Sequence, residues 1–270
     1  MERIKEAIAK AREKQGGSDH HGSVAKKIVQ NPEIVDGPIV YNQTRVVDLD
    51  VSHMENHRII TLDNEDPNSI SFDILRTQVL AKMEANNWRT LAITSPTPGC
   101  GKTVVAINLA LSIAKQTDYT ALLVDFDLRR PRVASYLGLP KENSFADYLD
   151  GKIEFNDALV NPGIPRFVVL PNRRPVKNST EVLTSRKVKA IVDDLRERYE
   201  KRICIFDLPP LKTTDDAIAF IPQVDCVLMV VSSGETKPAE VKDCRRQLQS
   251  SNLLGVVLNK SEEVAKTYYY

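Results

Sequence analysis

The chain has 270 residues, 42% of them hydrophobic, and a formal net charge of +1. That is enough apolar content for a sizeable core in one large domain, and the near-neutral balance gives no electrostatic reason to expect a nucleic acid or an anionic membrane surface as partner. No apolar run approaches the roughly 20 residues a bilayer crossing needs and no signal peptide is evident, so the cytoplasm is the expected setting.

In chain order, Ile4, Ala7, Ile8 and Ala11 recur at helical spacing, which predicts an amphipathic docking helix over residues 2–14. Gly16 to Ser23 reads as a flexible linker, with His20 and His21 as solvated loop histidines rather than metal ligands. Residues 24–66 read as extended and polar. Asp66-Pro67-Asn68 predicts a helix start, followed by Phe72, Leu75, Val79 and Leu80 on one apolar face. From Leu91 onward, apolar runs at 91–94, 121–124, 166–170, 203–206, 226–231 and 254–258 alternate with helical segments near 102–116, 181–199 and 238–250. That alternation predicts an α/β fold, a doubly wound and mostly parallel sheet with helices on both faces and an N-terminal extension. The expected division is an extension over 1–60, a domain over 61–262 and a tail over 263–270. The four cysteines lack metal-ligand spacing. Cys204 and Cys226 lie in strand patterns as core thiols, while Cys100 is either an exposed, oxidisable thiol or a neutral filler.

Three strand tips carry chemistry. The stretch Ser95-Pro-Thr-Pro-Gly-Cys-Gly-Lys-Thr103 joins an apolar strand to a helix start, the context in which a phosphate-binding P-loop is credible. Gly99 and Gly101 sit where a side chain would obstruct backbone amides aimed at phosphate, and those amides act with the positive end of the helix. Pro98, Gly99, Cys100, Gly101, Lys102, Thr103 and Val104 are therefore the expected nucleotide contacts. Pro96 stands where the usual first glycine would be, so the strict pattern fails at its first position. The second tip follows Ala121-Leu-Leu-Val with Asp125-Phe-Asp127-Leu-Arg129, and the third follows Arg202-Ile-Cys-Ile-Phe with Asp207. Carboxylates at carboxyl ends of parallel strands sit where open α/β sheets bind ligands, and hard cations prefer such oxygens. Together these motifs predict a site for a nucleotide and Mg2+, with Thr103 and Asp207 around the metal.

These residues resemble a bacterial tyrosine kinase (BY-kinase) of the polysaccharide-synthesis type, within the wider MinD/ParA-like group of P-loop ATPases. Asp125-x-Asp127-x-Arg129 after three hydrophobics is similar to that family's Walker A′ signature, and the early second lysine of simple ParA and MinD proteins is replaced here by Thr97. Arg129-Arg-Pro, Leu137-Gly-Leu139, Phe145-Ala-Asp-Tyr-Leu149, Leu170-Pro-Asn172, Pro209-Pro210 and Gly255-Val-Val-Leu-Asn259 continue the likeness across residues 60–270. The resemblance implies ATP-to-tyrosine phosphoryl transfer regulating capsule or exopolysaccharide export, with Lys102 on the phosphates. It also implies Asp125 as the proton acceptor and Asp127 as an organiser of Mg2+, two roles that are exchangeable. Asn259 is read as an adenine contact, and Arg129 as either a phosphate ligand or a structural ion pair. Tyr268, Tyr269 and Tyr270 become the autophosphorylation cluster. A membrane-embedded polysaccharide co-polymerase or activator protein is the implied partner, recruiting the chain to the inner face of the plasma membrane. Self-association is weakened, because Ile70-Ser-Phe-Asp73-Ile-Leu-Arg76 keeps only the last arginine of the family's ring-forming Glu-x-x-Arg-x-x-Arg helix. The alternative is a MinD/ParA-like ATPase switch or scaffold without kinase activity.

Overall fold

Four strands take their form from apolar runs with no polar alternation, so they fold only where both faces are covered. The computed structural model describes residues 44–60, 69–115 and 118–261. The runs become β2 (Thr90–Thr94), β3 (Thr120–Asp125), β6 (Arg202–Asp207) and β7 (Cys226–Ser232), almost wholly buried. With β1 (Arg45–Val46), β4 (Val160–Asn161), β5 (Phe167–Leu170) and β8 (Leu253–Asn259) they make an eight-stranded sheet in the order β1-β4-β5-β3-β6-β2-β7-β8. Every pairing is parallel except β4 with β5. The register sets Asp125 level with Asp207 and Ile93 beside Asp207, so three strand tips end side by side.

Helices close both faces. On one, α2 (Ser69–Ala85) and α3 (Lys102–Lys115) bury Val79, Leu80, Met83, Ile107 and Leu111. On the other, α7 (Arg186–Glu197) buries Val188, Ile191, Val192 and Leu195, the i, i+3, i+4, i+7 stripe of an amphipathic helix. Beside it, Phe126, Phe145, Phe206 and Phe220 form an aromatic knot, three of whose contacts to Phe126 span 5.1–5.4 Å between ring centroids. This knot sits directly under the loop that follows β3 and stiffens it. Short helices α4 (Val133–Tyr136), α5 (Phe145–Leu149), α6 (Ser179–Leu183) and α8 (Asp216–Phe220) and the longer α9 (Pro238–Gln247) complete the layers, with α1 (Val51–Asn56) in the N-terminal part. No helix among the described residues is long and apolar enough to cross a membrane.

Two expectations change. The helix predicted over 181–199 is two helices, because Ser185 leaves helical geometry and its side chain accepts the Val188 N–H as an N-cap at 3.2 Å. Residues 24–66, read as extended and polar, contain ordered structure from Arg45. There β1 pairs with β4, Asp50 caps α1 by accepting the Ser52 N–H, and Met54 and Ile59 enter the core. The alternation of Val47, Leu49 and Val51 is too short to mark an element by itself, yet Val47, Met54 and Ile59 bury there with Leu49 and Val51 packed against them. The docking helix over 2–14, the His20-His21 loop, the Asp66–Asn68 helix start and the tyrosine tail lie outside the described residues.

The segment's polar anchor is Asn108 on α3. Its side chain accepts the Ile60 N–H and donates to the Arg58 and Val104 carbonyls, each at 2.9 Å. Asn108→Ala leaves buried backbone groups unpaired, so we expect a loss of roughly 1–3 kcal/mol. A drop in the urea midpoint at unchanged m-value checks it, with earlier proteolysis before Ile60.

Candidate active site

The loop Ser95–Gly101 is stitched to the end of β6 before any ligand enters. Leu208 N–H donates to Ile93 O at 2.9 Å, Leu211 N–H to Ser95 O at 2.8 Å and Lys212 N–H to Pro96 O at 3.2 Å, while the Thr94 hydroxyl donates to Pro209 O at 2.8 Å. Pro96 is buried in this seam, and its carbonyl supplies what the seam requires; a glycine is not needed there. Gly99 and Gly101 both hold left-handed backbone, with φ of +87° and +86°. Gly101 is doubly constrained, since an added Cβ would lie 2.1 Å from Asn259 Nδ2. That amide donates to Cys100 O at 2.9 Å and ties the tip of β8 to the loop, which is where the sequence-predicted adenine contact stands.

Lys102 opens α3 and is the centre of the charge arrangement. Its ammonium lies 2.9 Å from Asp127 and 3.3 Å from Asp207, and Thr103 donates its hydroxyl to Asp207 at 2.6 Å. Asp125 is fully buried, and its Oδ2 accepts the backbone N–H of Arg132 at 3.0 Å and of Val133 at 2.9 Å. Its Oδ1 has no hydrogen-bond partner among the described residues. Burial, then the neighbouring Asp207 charge, holds the Asp125 carboxyl well above the usual range. Burial likewise raises Asp207, although Lys102 and Thr103 oppose it. Burial works against the Lys102 charge, but Asp207, Asp127 and Asp125 outweigh it and lift the ammonium above the ordinary lysine value.

A cleft of about 550 Å³ opens beside this cluster. Of the predicted contacts, Pro98, Gly99, Gly101, Lys102, Thr103, Val104 and Asp127 line it; Cys100, Asp125, Asp207 and Asn259 do not. Cys100 is a buried filler rather than an exposed thiol, its Sγ 3.6 Å from the Thr97 and Thr236 hydroxyls. Cys204 and Cys226 are core thiols as expected, pushed up to about 12 by burial. Residues that sequence reasoning did not select also line the cleft: Arg130, Arg132, Tyr136, Thr213 and Thr214. The run of three arginines within Arg129–Arg132 is the signal that could have found part of this wall; nothing local marks the two threonines.

The donor set fits a magnesium nucleotide. Three carboxylates are buried around one ammonium, Thr103 adds a hydroxyl, and every candidate metal donor is a hard oxygen. No group of three acidic, histidine or cysteine side chains among the described residues encloses a metal alone. A cation here would complete its shell from phosphate oxygens and water, the usual habit of Mg2+.

Comparison with known proteins agrees with this geometry. The profile of the CobQ/CobB/MinD/ParA nucleotide binding domain matches residues 91–269, and the chain belongs to that family. Among its relatives is the tyrosine-protein kinase CpsD of Streptococcus agalactiae, 28% identical over 200 residues, covering 73% of this chain and 85% of that protein. The crystal structure of the chimerical protein CapA2B2 superposes with a TM-score of 0.70 at 29% identity over 81% of this chain and 94% of the other. The kinase domain of the Escherichia coli tyrosine kinase ETK does so with a TM-score of 0.68 at 29% identity, over 78% of this chain and 84% of that one.

Arg129 is an ion pair. Its Nε and Nη2 meet Asp216 at 3.0 and 3.1 Å, and the Ser179 hydroxyl also donates to Asp216, at 2.7 Å. Burial opposes ionisation of Asp216, but Arg129, Thr180 and Ser179 hold its carboxyl below the usual range. A depressed carboxyl contributes stability that is present above its unfolded pKa and lost as pH falls through the folded value. Arg129 is half-exposed, so Arg129→Gln should cost on the order of 1 kcal/mol at pH 7. That gap should begin to narrow as pH falls below about 4, the ordinary carboxyl value, and close only below the depressed folded value, as read in urea titrations; a gap that does not narrow at all down to about pH 2 would show that Asp216 does not depend on Arg129.

Proposed function

We propose that this chain is an ATP-dependent protein-tyrosine autokinase acting in capsular or exopolysaccharide synthesis. The observation that carries this reading is the convergence of Asp127 and Asp207, from neighbouring strand tips, on Lys102 of the P-loop, in a chain whose relatives are named tyrosine-protein kinases. Phosphoryl transfer of this kind is mainly positioning and charge neutralisation. The loop from Pro98 to Val104 binds the phosphates, and Lys102 places its ammonium against the β- and γ-groups. Thr103 and Asp207, with Asp127 nearby, would hold Mg2+, which supplies neutralisation of the triphosphate charge. Asp127 lines the cleft and Asp125 does not, so we assign the phenolic proton to Asp127 and the holding of the Arg132–Val133 turn to Asp125. A phenol near pKa 10 does not lose its proton to a carboxylate near 4 in the ground state. Transfer therefore comes late, as the phenol oxygen bonds to phosphorus.

The acceptor is the cluster Tyr268–Tyr270. Eleven residues follow Asn259, which reach at most roughly 40 Å when extended, enough for the chain's own site or a neighbour's. The working division is extension 1–60, catalytic body 61–262 and acceptor tail 263–270, with the stretch from Arg45 serving the body. A membrane-embedded activator of polysaccharide export is the partner we assign, drawing the chain to the inner membrane face. The family match by itself also suits a MinD/ParA-like switch that hydrolyses ATP without phosphorylating protein.

Lys102→Met should abolish phosphotyrosine formation with Mg-ATP, and Asp207→Asn should raise the Mg2+ requirement. Replacing Tyr268, Tyr269 and Tyr270 by Phe should remove most phosphotyrosine while ATP binding persists, read by mass spectrometry and nucleotide titration. ATP turnover with no phosphotyrosine in the intact chain would favour the switch.

Self-association should be weak. Arg76, the arginine retained from the ring-forming helix, is spent within the protomer on Asp73 at 2.7 Å and on the Ser112 hydroxyl at 3.1 Å. Light scattering across a concentration range should report a monomer or a weak oligomer; a ring persisting on dilution would show that other contacts replace the missing charges.

A further inference from the structure

The three arginines that follow the aspartate pair are not equivalent. Arg129 is committed to Asp216 at 3.0 and 3.1 Å. Arg130 and Arg132 are exposed in the cleft wall, and neither side chain has a carboxylate partner among the described residues. Their backbone is nevertheless held firmly: Arg130 N–H donates to Asp127 Oδ1 at 3.1 Å and Arg132 N–H to Asp125 Oδ2 at 3.0 Å. The same acidic pair that surrounds Lys102 thus fixes the short stretch carrying two free guanidiniums. Tyr136 lines the cleft beside them.

Unpaired guanidinium forks in a cleft wall suit a doubly charged oxyanion, which each fork binds through two parallel hydrogen bonds. The nucleotide has its own cradle in the glycine loop and Lys102. What remains is the second substrate, and it is one whose charge changes as the reaction runs. Each transfer to the cluster Tyr268-Tyr269-Tyr270 turns a neutral phenol into a phosphate of nearly two negative charges, adjacent to phenols still to react.

We propose that Arg130 and Arg132 form a phosphotyrosine-reading vestibule. It seats a tyrosine already phosphorylated and so holds a neighbouring unmodified tyrosine at the γ-phosphate. The cluster is then modified in sequence, each phosphate raising the affinity for the next round. The chemistry of each round is unaltered: the bond from the γ-phosphorus to the bridging oxygen of ATP breaks, a bond to the phenol oxygen forms, and the phenol proton passes to the site carboxylate as ADP leaves. This proposal rests on the kinase reading above and concerns only how the acceptor is chosen.

The test uses the full chain and fluorescent nine-residue peptides copying residues 262–270, one unmodified and one carrying phosphate on a single tyrosine. Binding is read by anisotropy with Mg-ADP, and transfer by mass spectrometry with Mg-ATP. The phosphopeptide should bind and react about 10-fold better than the unmodified one, the worth of one net charge-assisted hydrogen bond. In Arg130→Ala/Arg132→Ala that preference should fall to near unity, and phenyl phosphate should compete with the phosphopeptide on the unaltered chain only. Arg130→Lys/Arg132→Lys, which keeps charge and loses the fork, should give an intermediate preference and guards against a misfolded alanine variant. Equal affinity for both peptides on the unaltered chain would overturn the proposal. So would a double variant that binds nucleotide poorly yet still prefers the phosphopeptide, because the arginines would then be nucleotide ligands. Phosphopeptide binding without any transfer would instead overturn the kinase reading and leave the vestibule standing.

Discussion

The organisation of this protein depends on burying three carboxylates around a single ammonium. Asp125, Asp127 and Asp207 all approach the N-terminus of α3, where Lys102 bridges two of them and the Thr103 hydroxyl satisfies a further oxygen. Removing ionised carboxylates from water is expensive unless they are paired and hydrogen-bonded. Every nearby feature reads as part of that compensation. The Arg132 and Val133 amides close on Asp125, the Arg130 amide closes on Asp127, and the end of β6 is laced to the loop through Leu208, Leu211 and Lys212. The remaining negative charge suits the cation that the proposed function places there with a phosphate chain.

That constraint also explains why the aromatic knot lies where it does. Phe126 sits between the two aspartates in sequence and points its bulk into the opposite core, against Phe145, Phe206 and Phe220. Interiors are close-packed and resist small displacements, so a rigid hydrophobic residue between Asp125 and Asp127 fixes both carboxylates relative to the sheet. The polar and apolar halves of one short segment thus stabilise each other: the knot holds the carboxylates in place, and the carboxylates hold the turn that carries Arg130 and Arg132. Arg129, by contrast, is drawn away by Asp216, a carboxyl already gripped by Ser179 and Thr180. This links the segment after β3 to α6 and α8.

The N-terminal part of the chain shows how little apolar surface is needed to dock a segment when polar anchors are specific. Val47, Met54 and Ile59 bury there, and Asn108 supplies hydrogen bonds that the passing backbone cannot find in its own short helix. His53 and His57 also lie close, their rings tilted at 32° with centroids 4.2 Å apart, and the His57 ring is 5.1 Å from that of Tyr136 in the cleft wall. Gly138, left-handed at φ +65°, leaves room for His53, whose ring a Cβ would approach to 2.9 Å. The segment is therefore in contact with the wall of the site.

Local pattern alone was enough to establish the six longer strands, the glycine loop and the three acidic tips, because each is a short run whose chemistry requires its neighbours in sequence; the two-residue strands β1 and β4 left no such mark. Continuous apolar runs have no exposed face to offer and must become covered strands; a glycine pair before Lys-Thr at a helix start has few other uses. The family resemblance followed from the same runs. Tertiary structure decided everything that depends on which elements meet. It assigned Asp127 to the cleft and Asp125 to the turn behind it, paired Arg129 with a carboxyl 87 positions away in sequence, and left Arg130 and Arg132 with no carboxylate partner among the described residues. It also buried Cys100 and split the helix predicted over 181–199. These outcomes turn on packing and on competition among hydrogen-bond partners distant in the chain, and no periodicity within one segment encodes a partner that another segment brings.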